Sequence, residues 1–375
     1  MVEIGMGRTA RRTYELDDIN IVPSRRTRSS KDVSTTWQLD AYRFDIPVVA
    51  HPTDALVSVE FAIELGRLGG LGVLNGEGLI GRHADVGARI AEVVAAAEKE
   101  PDPSAAIRLL QQLHSAPLDP DLLGAAVGQI RDAGITTAVR ISPQNARALT
   151  PTLVAAGIDL LVIQGTIISA ERVASDGEPL NLKTFISELD VPVVAGGVLD
   201  HRTALHLMRT GAAGVIVGYG STSGVTTSDE VLGISVPMAT AIADAAAARR
   251  EYLDETGGRY VHVLADGDIH TSGDLAKAIA CGADAVVLGT PLSSAAEALG
   301  GGWFWPSAAA HPSLPRGALL QVAVGERPSL ARVLNGPSDD PFGSLNLVGG
   351  LRRSMAKAGY CDLKEFQKVG LTVGN

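Results

Sequence analysis

Cysteine, aromatic side chains, unbroken apolar runs and positive charge are all scarce in this 375-residue sequence. Its two cysteines, Cys281 and Cys361, form no CxxC pair and have no histidines at metal-ligand spacing, which argues against a disulfide framework and a zinc site. No apolar run approaches the ~20 residues of a membrane helix, so we expect a soluble cytoplasmic protein without a membrane partner. The net charge of −10 argues against a nucleic-acid partner, because phosphate backbones are bound through an excess of Lys and Arg.

Aliphatic residues must build the core, since aromatics make up 4% of the chain and all hydrophobic residues 46%. Short β-branched runs that end in small or polar residues recur eight times. They occupy residues 46–50, 71–75, 137–142, 159–165, 191–197, 214–220, 260–267 and 285–290. These runs mostly lack polar alternation, which is typical of parallel strands covered on both faces.

Segments with helical spacing separate the runs, and several of them end in glycine, the usual residue after a helix C-terminus. Eight repeats of strand and helix predict an α/β fold, the (β/α)8 TIM barrel, with its core at about 46–300. A lead-in segment precedes this core, and residues 301–375 follow it as a lid, an oligomer contact or both. We expect one domain over 1–375, with a long and largely helical connection at 76–136.

Barrel enzymes carry their sites at the C-terminal ends of the strands. The polar residues and glycines found there are His51, Thr53, Asp54, Asn75, Ser142, Gln164, Gly196, Gly197, the loop 218–227, Asp266, Gly267, Asp268, Gly289 and Thr290. Phosphates in this fold often bind after strands seven and eight, where glycine amides approach an anion closely.

The sequence therefore predicts a phosphate site at these loops, with a ribose held by Asp266. The alternative for Asp266 is a helix N-cap or a structural turn. His51 is either a general base or a structural residue, and the structural role is the more common one for a lone histidine. Cys281 is expected to be a small buried residue, and neither cysteine has the setting of a nucleophile.

Five longer stretches carry a resemblance to a known family. They are TYELDDINIVPSRR (13–26), the run 46–75, VPVVAGGVLDHRTALHLMRTGAAGVIVGYG (191–220), LADGDIHTSGDLAKAIACGADAVVLGT (264–290) and LVGGLRRSMAKAGYCDLKEF (347–366). In order and content they are similar to the IMP dehydrogenase/GMP reductase family. Because 76–136 is too short for the regulatory CBS pair of the dehydrogenases, the chain resembles the branch that lacks CBS domains.

The resemblance implies hydride exchange between NAD or NADP and C2 of a purine nucleoside monophosphate, IMP, GMP or XMP. In the family a loop cysteine forms a covalent thioimidate with the purine. Lack of the CBS pair favours the GMP-reductase-like direction. Family members form tetramers, so a homotetramer or higher assembly is expected, and association with a true IMP dehydrogenase is an alternative assembly.

Residue by residue, the resemblance implies two binding sets. The substrate and phosphate set is Gly218, Gly220, Ser223, Asp266, Gly267, Gly289 and Thr290. The cofactor set is Asp54, Gln164 and Gly197, of which Gln164 stands where the family has aspartate and Gly197 where it has asparagine.

The loop GYGSTSGVTT (218–227) departs from the family at its reactive position, because Val225 stands where the nucleophilic cysteine is expected. Thr226 and Thr227 offer hydroxyls, but an alcohol without an adjacent base is a weak nucleophile. Asp268 departs too, since it turns the family's DGG into DGD and places an anion near the expected phosphate.

Two main functions remain open on the sequence. The first is an NAD(P)-dependent oxidoreductase of purine nucleotide metabolism. The second is a catalytically inactive purine-nucleotide-binding protein that regulates this metabolism, for which Val225 is harmless. A third is an oxidoreductase for another phosphorylated substrate, with a site reshaped by Asp268 and Gln164.

Overall fold

Eight parallel strands form one sheet in the computed structural model, which describes residues 1–99, 102–165, 168, 180–220, 229–307 and 317–374. The strands are β1 (Val48–Ala50), β2 (Val73–Asn75), β3 (Ala138–Ile141), β4 (Leu160–Gln164), β5 (Val193–Val198), β6 (Gly214–Gly218), β7 (His262–Asp266) and β8 (Ala285–Leu288).

The sheet is closed into a ring, with β1 beside β8 and every other strand beside its neighbours in chain order. A parallel bridge between Val49 and Leu71 joins β1 to the start of the second run. Each predicted run contains one strand, and the predicted (β/α)8 barrel is confirmed.

α-Helices surround the strands. In the described part of the chain they are α1 (Val59–Arg67), α2 (Val86–Lys99), α3 (Ser104–His114), α4 (Pro120–Asp132), α5 (Ala146–Ala156), α6 (Leu182–Ser187), α7 (His201–Arg209), α8 (Asp229–Leu232), α9 (Met238–Thr256), α10 (Ser272–Ala280), α11 (Thr290–Ser293), α12 (Leu330–Asn335), α13 (Leu347–Ala358) and α14 (Leu363–Phe366).

Local sequence signals set the helix ends. Ser58 caps α1 by accepting the N–H of Phe61, and Asp200 caps α7 in the same way. Gly157 ends α5 in the left-handed conformation, with φ of 85°, which glycine adopts without a steric penalty.

The long connection 76–136 contributes α2 and α3, which form a second apolar cluster with Trp305 and Leu319. This cluster is separate from the main core around the barrel. The segment after β8 is therefore tied to the long connection by buried apolar surface.

The N-terminal and C-terminal segments of the chain pair with each other. Ile19–Ile21 pairs antiparallel with Leu371–Val373, and α13 and α14 contribute Leu351 and Phe366 to the main core. The lead-in segment and the C-terminal extension thus form one layer against the barrel. No helix among the described residues is long and apolar enough to cross a membrane.

The N-terminal end of the barrel carries a buried ion-pair cluster around Asp284, which directly precedes β8. Arg249 of α9 donates to its Oδ2 at 2.8 Å, and Lys364 of α14 donates to its Oδ1 at 2.6 Å. Burial alone would raise the pKa of Asp284, but the charges of Arg249, Lys364 and His262 outweigh it and hold this pKa at about 2. The cluster fastens the extension to the end of the barrel opposite to the predicted site.

Candidate functional site

A pocket opens at the C-terminal ends of β1, β6, β7 and β8. Five residues of the predicted substrate set line it: Gly220, Asp266, Gly267, Gly289 and Thr290. Gly218 ends β6, two residues before Gly220, and Ser223 lies outside the described residues. The topology therefore brings residues from three separate strand ends to one place, as a barrel site requires.

The glycines at the end of β6 are required by close backbone contacts. Gly218 has φ of 90°, and a Cβ there would lie 2.0 Å from the carbonyl oxygen of Asp266. Gly220 has φ of 92° and donates its N–H to the same oxygen at 3.0 Å. No other residue type fits at Gly218, so the loop after β6 is held against the end of β7 by glycine alone.

Asp266 is the buried acid of the pocket, with 1% of its surface exposed. Its Oδ1 lies 3.2 Å from Nδ1 of His51, and its Oδ2 accepts from Nε2 of Gln164 at 2.6 Å. The next helix, α10, is capped by Thr271 in a capping box with Asp274, so Asp266 is not an N-cap. Both of its oxygens instead face other strand ends.

His51, which the sequence places at the end of the first strand as either a general base or a structural residue, lies in the pocket. It follows β1, lines the pocket beside Gly220 and Gly289, and packs its ring 6.2 Å from the ring of Phe304. The expectation of a merely structural histidine undervalued it, because its partner Asp266 lies 215 residues away in the chain.

A second imidazole lies at the rim. His270 Nδ1 is 3.1 Å from the hydroxyl of Thr290, and its Nε2 is 3.7 Å from Oδ1 of Asp268. The interaction with the Asp268 carboxylate raises the pKa of His270 against the opposing effect of burial. The aspartate that distinguishes this chain's DGD is therefore paired with a nearby histidine.

The predicted cofactor set has its polar groups engaged within the chain. Asp54 accepts from the N–H of Leu79 at 3.0 Å and lies 2.9 Å from Nε2 of His114. Gln164 holds Asp266, as described above. Gly197 donates its N–H to the carbonyl of Gly165 at 3.0 Å. Each of these three residues is therefore already hydrogen-bonded within the chain.

A partly buried charge cluster lies beside the pocket, at the ends of β2 and β3. Arg140 lies 3.2 Å from Glu77 and donates to the carbonyl oxygen of Gln164 at 2.7 Å. Glu77 also accepts from the backbone and hydroxyl of Ser142 at 2.6 and 2.9 Å, and from Asn145. Burial lowers the pKa of Arg140.

The sequence analysis did not identify Glu77 and Arg140 as residues at the C-terminal end of the barrel. The available signal was a charged residue inside the otherwise apolar third run, TAVRIS, and an acid just after the second. Together with Gln164 and Asp266 they make a continuous polar chain from the end of β2 to the end of β7.

The residues predicted at the reactive position lie outside the described residues: Val225, Thr226 and Thr227. Neither cysteine substitutes for them. Burial raises the pKa of Cys281 to about 12, and this residue ends α10 on the outside of the barrel. Cys361 is exposed just before α14. No group of metal-binding side chains occurs among the described residues.

Comparison with known proteins agrees with this geometry. Residues 13–309 match the sequence model of the IMP dehydrogenase / GMP reductase domain. The chain belongs to this family.

Its relatives include an uncharacterized oxidoreductase of Mycolicibacterium smegmatis, 91% identical over 375 residues and the full length of both chains. An inosine-5′-monophosphate dehydrogenase of Methanocaldococcus jannaschii is 25% identical over 96% of this chain and 92% of its own. A crystal structure of an IMP dehydrogenase/GMP reductase-like protein from Corynebacterium glutamicum superposes with a TM-score of 0.93, at 60% identity over 100% of this chain and 97% of that one.

Proposed function

We propose that this chain binds a purine nucleoside monophosphate, IMP, GMP or XMP, in the pocket between β1, β6, β7 and β8. The observation that carries the proposal is the convergence of Gly220, Asp266, Gly267, Gly289 and Thr290 on one pocket. Glycines let amide groups approach a phosphate, and a buried carboxylate suits the two hydroxyls of a ribose.

Binding without turnover is the function that this site supports best. A valine at position 225 has no lone pair with which to attack a purine carbon, so the family's covalent step has no agent there. Asp54 is engaged by His114 and Leu79, and Gln164 donates to Asp266, so both residues already have partners within the chain. The proposed role is regulation of purine metabolism by a nucleotide-sensing protein, through association with a true IMP dehydrogenase.

The second candidate is an NAD(P)-dependent oxidoreductase that acts on the same nucleotide, in the GMP-reductase-like direction. Membership of the family supports it, as does the oxidoreductase name of the 91% identical relative. It requires a reactive group other than a loop cysteine, and it requires Asp54 and Gln164 to release their present partners when the cofactor binds.

One experiment separates the two candidates. The purified protein is titrated with IMP, GMP and XMP by calorimetry, which measures binding. In a second assay, each nucleotide is mixed with the protein and with NAD, NADH, NADP or NADPH, and the absorbance of the reduced cofactor is followed. The binding proposal expects micromolar affinity for at least one nucleotide and no absorbance change. Steady turnover would favour the oxidoreductase, and the absence of both binding and turnover would reject both candidates.

A variant pair ties the binding to the pocket. Asp266→Asn should weaken nucleotide binding about ten-fold or more, because it removes the charge that holds His51 and accepts the ribose hydroxyls. Asp132→Asn, at the exposed end of α4, is the matched control and should bind like the unaltered protein.

The assembly is proposed as a homotetramer or larger oligomer. Light scattering on the eluting protein measures its mass, and elution together with a purified IMP dehydrogenase, with and without nucleotide, tests the proposed regulatory partner. Separate elution under all conditions would reject the partner but leave nucleotide binding standing.

A further inference from the structure

The pocket has an unusual charge balance for a phosphate site. Neither lysine nor arginine is among the described residues that line it, and the loop 221–228, STSGVTTS, contains neither. The pocket does contain the carboxylate of Asp266, and Asp268 follows two residues later. A phosphate monoester brings about −1.5 to −2 charges at neutral pH, and charges of one sign repel at short range.

Imidazoles are the groups at this pocket that can supply the missing positive charge. His51 lies inside it, with only 7% of its side chain exposed, and His270 lies at its rim. Each of them faces an aspartate, Asp266 and Asp268 respectively. Two histidine–aspartate pairs therefore border a pocket whose other lining residues are uncharged.

The geometry of His51 fixes what each ring nitrogen can do. Its Nδ1 is committed to Asp266, a carboxylate that only accepts, so Nδ1 carries a proton. No described residue makes a hydrogen bond with Nε2. The ring edge lies next to Gly220, where a Cβ would stand 3.1 Å from Cε1 and 3.6 Å from Nε2. Nε2 is thus left for whatever enters the pocket.

We propose that the nucleotide's phosphate binds together with a proton, which is taken from solvent onto Nε2 of His51 and donated as a hydrogen bond to a phosphate oxygen. The proposal rests on the proposed nucleotide binding and adds how the charge is neutralised. It makes His51 a ligand-contacting residue that selects a phosphomonoester over the corresponding nucleoside. No bond other than the one to this proton forms or breaks.

The charged surroundings agree with proton uptake. Asp266 of β7 faces His51, while the residues packed against the ring from the loops after β6 and β8 and from Trp303–Phe304 are uncharged: Gly220, Gly289 and Phe304. Asp268, Asp274 and Asp17 raise the pKa of His270 against the opposing effect of burial. A dianionic phosphate adds a further negative charge, which favours the imidazolium form of His51 in the complex.

Proton uptake has a direct calorimetric signature. Binding is measured at pH 8 in two buffers of different ionisation enthalpy, HEPES and Tris, with GMP, IMP and XMP and with the matching nucleosides. Binding of each nucleotide should be accompanied by uptake of a substantial fraction of a proton. As pH rises, the affinity should fall, by at most about ten-fold per pH unit, which is the limit for one proton. The nucleosides should take up none.

Two substitutions separate this role from a structural one. In His51→Asn the amide nitrogen replaces Nδ1, so the bond to Asp266 is kept and Nε2 is lost. In His51→Gln the amide nitrogen reaches the Nε2 position as a neutral donor. We expect His51→Asn to weaken nucleotide binding at pH 6.5 by roughly ten- to hundred-fold. His51→Gln should recover part of the affinity, and both variants should lose proton uptake and the pH dependence.

The outcomes distinguish this inference from the proposed function. Nucleotide binding without proton uptake in the unaltered protein would overturn the role of His51 and leave the proposed function intact. Uptake that persists in His51→Asn but is lost in His270→Asn would also overturn it, because the proton then resides at the rim. The absence of nucleotide binding would overturn both. Far-ultraviolet circular dichroism of each variant confirms that it is folded.

Discussion

Asp284→Asn tests the cluster that fastens the C-terminal extension to the barrel. The side chain of Asp284 is 2% exposed and accepts five hydrogen bonds, from Arg249, Lys364, Tyr260, Gln367 and the N–H of Val263. Asparagine keeps the shape but removes the charge, and it leaves the guanidinium of Arg249 buried without a counter-ion. Breaking one partner of a buried pair costs about 3–5 kcal/mol of unfolding free energy.

The pKa of Asp284 gives an independent magnitude. The shift from 3.8 to about 2 means that ionisation favours the folded state by about 2 kcal/mol. Because the folded pKa is depressed, this contribution is complete above pH 3.8 and is lost as pH falls toward 2. The remainder of the expected cost is the loss of hydrogen bonds to the buried oxygens.

Urea unfolding at pH 7, followed by circular dichroism, measures the effect. Lys364→Met is the comparison variant, because the side chain of Lys364 is 55% exposed whereas that of Arg249 is 7% exposed, so removing Lys364 should cost less than leaving Arg249 without its counter-ion. A cost for Asp284→Asn no larger than that for Lys364→Met would refute the reasoning. Nucleotide binding at pH 7 should be unchanged in both variants, since the cluster lies at the other end of the barrel.

Three further predictions follow from single residues. Gly218→Ala should abolish nucleotide binding in calorimetry while the barrel stays folded, because its Cβ would meet the Asp266 carbonyl at 2.0 Å; unchanged affinity would contradict the tight β6–β7 contact. Burial lowers the pKa of His262 to about 4. The contribution of neutral His262 to the unfolding free energy is therefore complete above pH 6.5, and about 3 kcal/mol is lost as pH falls from 6.5 through 4. In urea titrations, His262→Gln should flatten this loss. Iodoacetamide at pH 8 should modify Cys361 rapidly and Cys281 only on unfolding, as peptide mass spectrometry can show, and equal rates would contradict the burial of Cys281.

The strands were predictable because their determinants are local. Runs such as 214–220 are continuous, β-branched and bounded by glycine, and a strand buried on both faces needs little else. The helix ends were predictable for the same reason, since Gly157 or Asp200 acts within a few residues of its own position. Eight local units in strict alternation leave the barrel as the favoured way to cover every strand.

The site was only partly predictable because its contacts are long-range. Glycines and Asp266 could be placed at strand ends from the sequence, but the bond from Gln164 to Asp266 joins residues 102 positions apart. The contact of Asp54 with His114 spans 60 positions and depends on how α3 packs. Side chains that look available in the sequence are thus engaged once the barrel closes, and His51, which looked structural, lies in the pocket.

These contacts divide the barrel mouth into two parts of different character. At the ends of β2 to β4, Glu77, Arg140 and Gln164 form a network of ion pairs and hydrogen bonds within the chain. The ends of β1 and β6 to β8 form a pocket in which Nε2 of His51 has no hydrogen-bond partner among the described residues. This division is one reason why nucleotide binding without turnover is the proposed function.

A crystal structure of the protein with GMP, IMP or XMP tests the central claim most directly. The account predicts the phosphate among Gly220, Gly267, Gly289 and Thr290, with Nε2 of His51 within hydrogen-bond distance of a phosphate oxygen. It also predicts that Asp54 keeps its contact with His114 in that complex. A nucleotide bound elsewhere, or a phosphate that does not contact these residues, would contradict it.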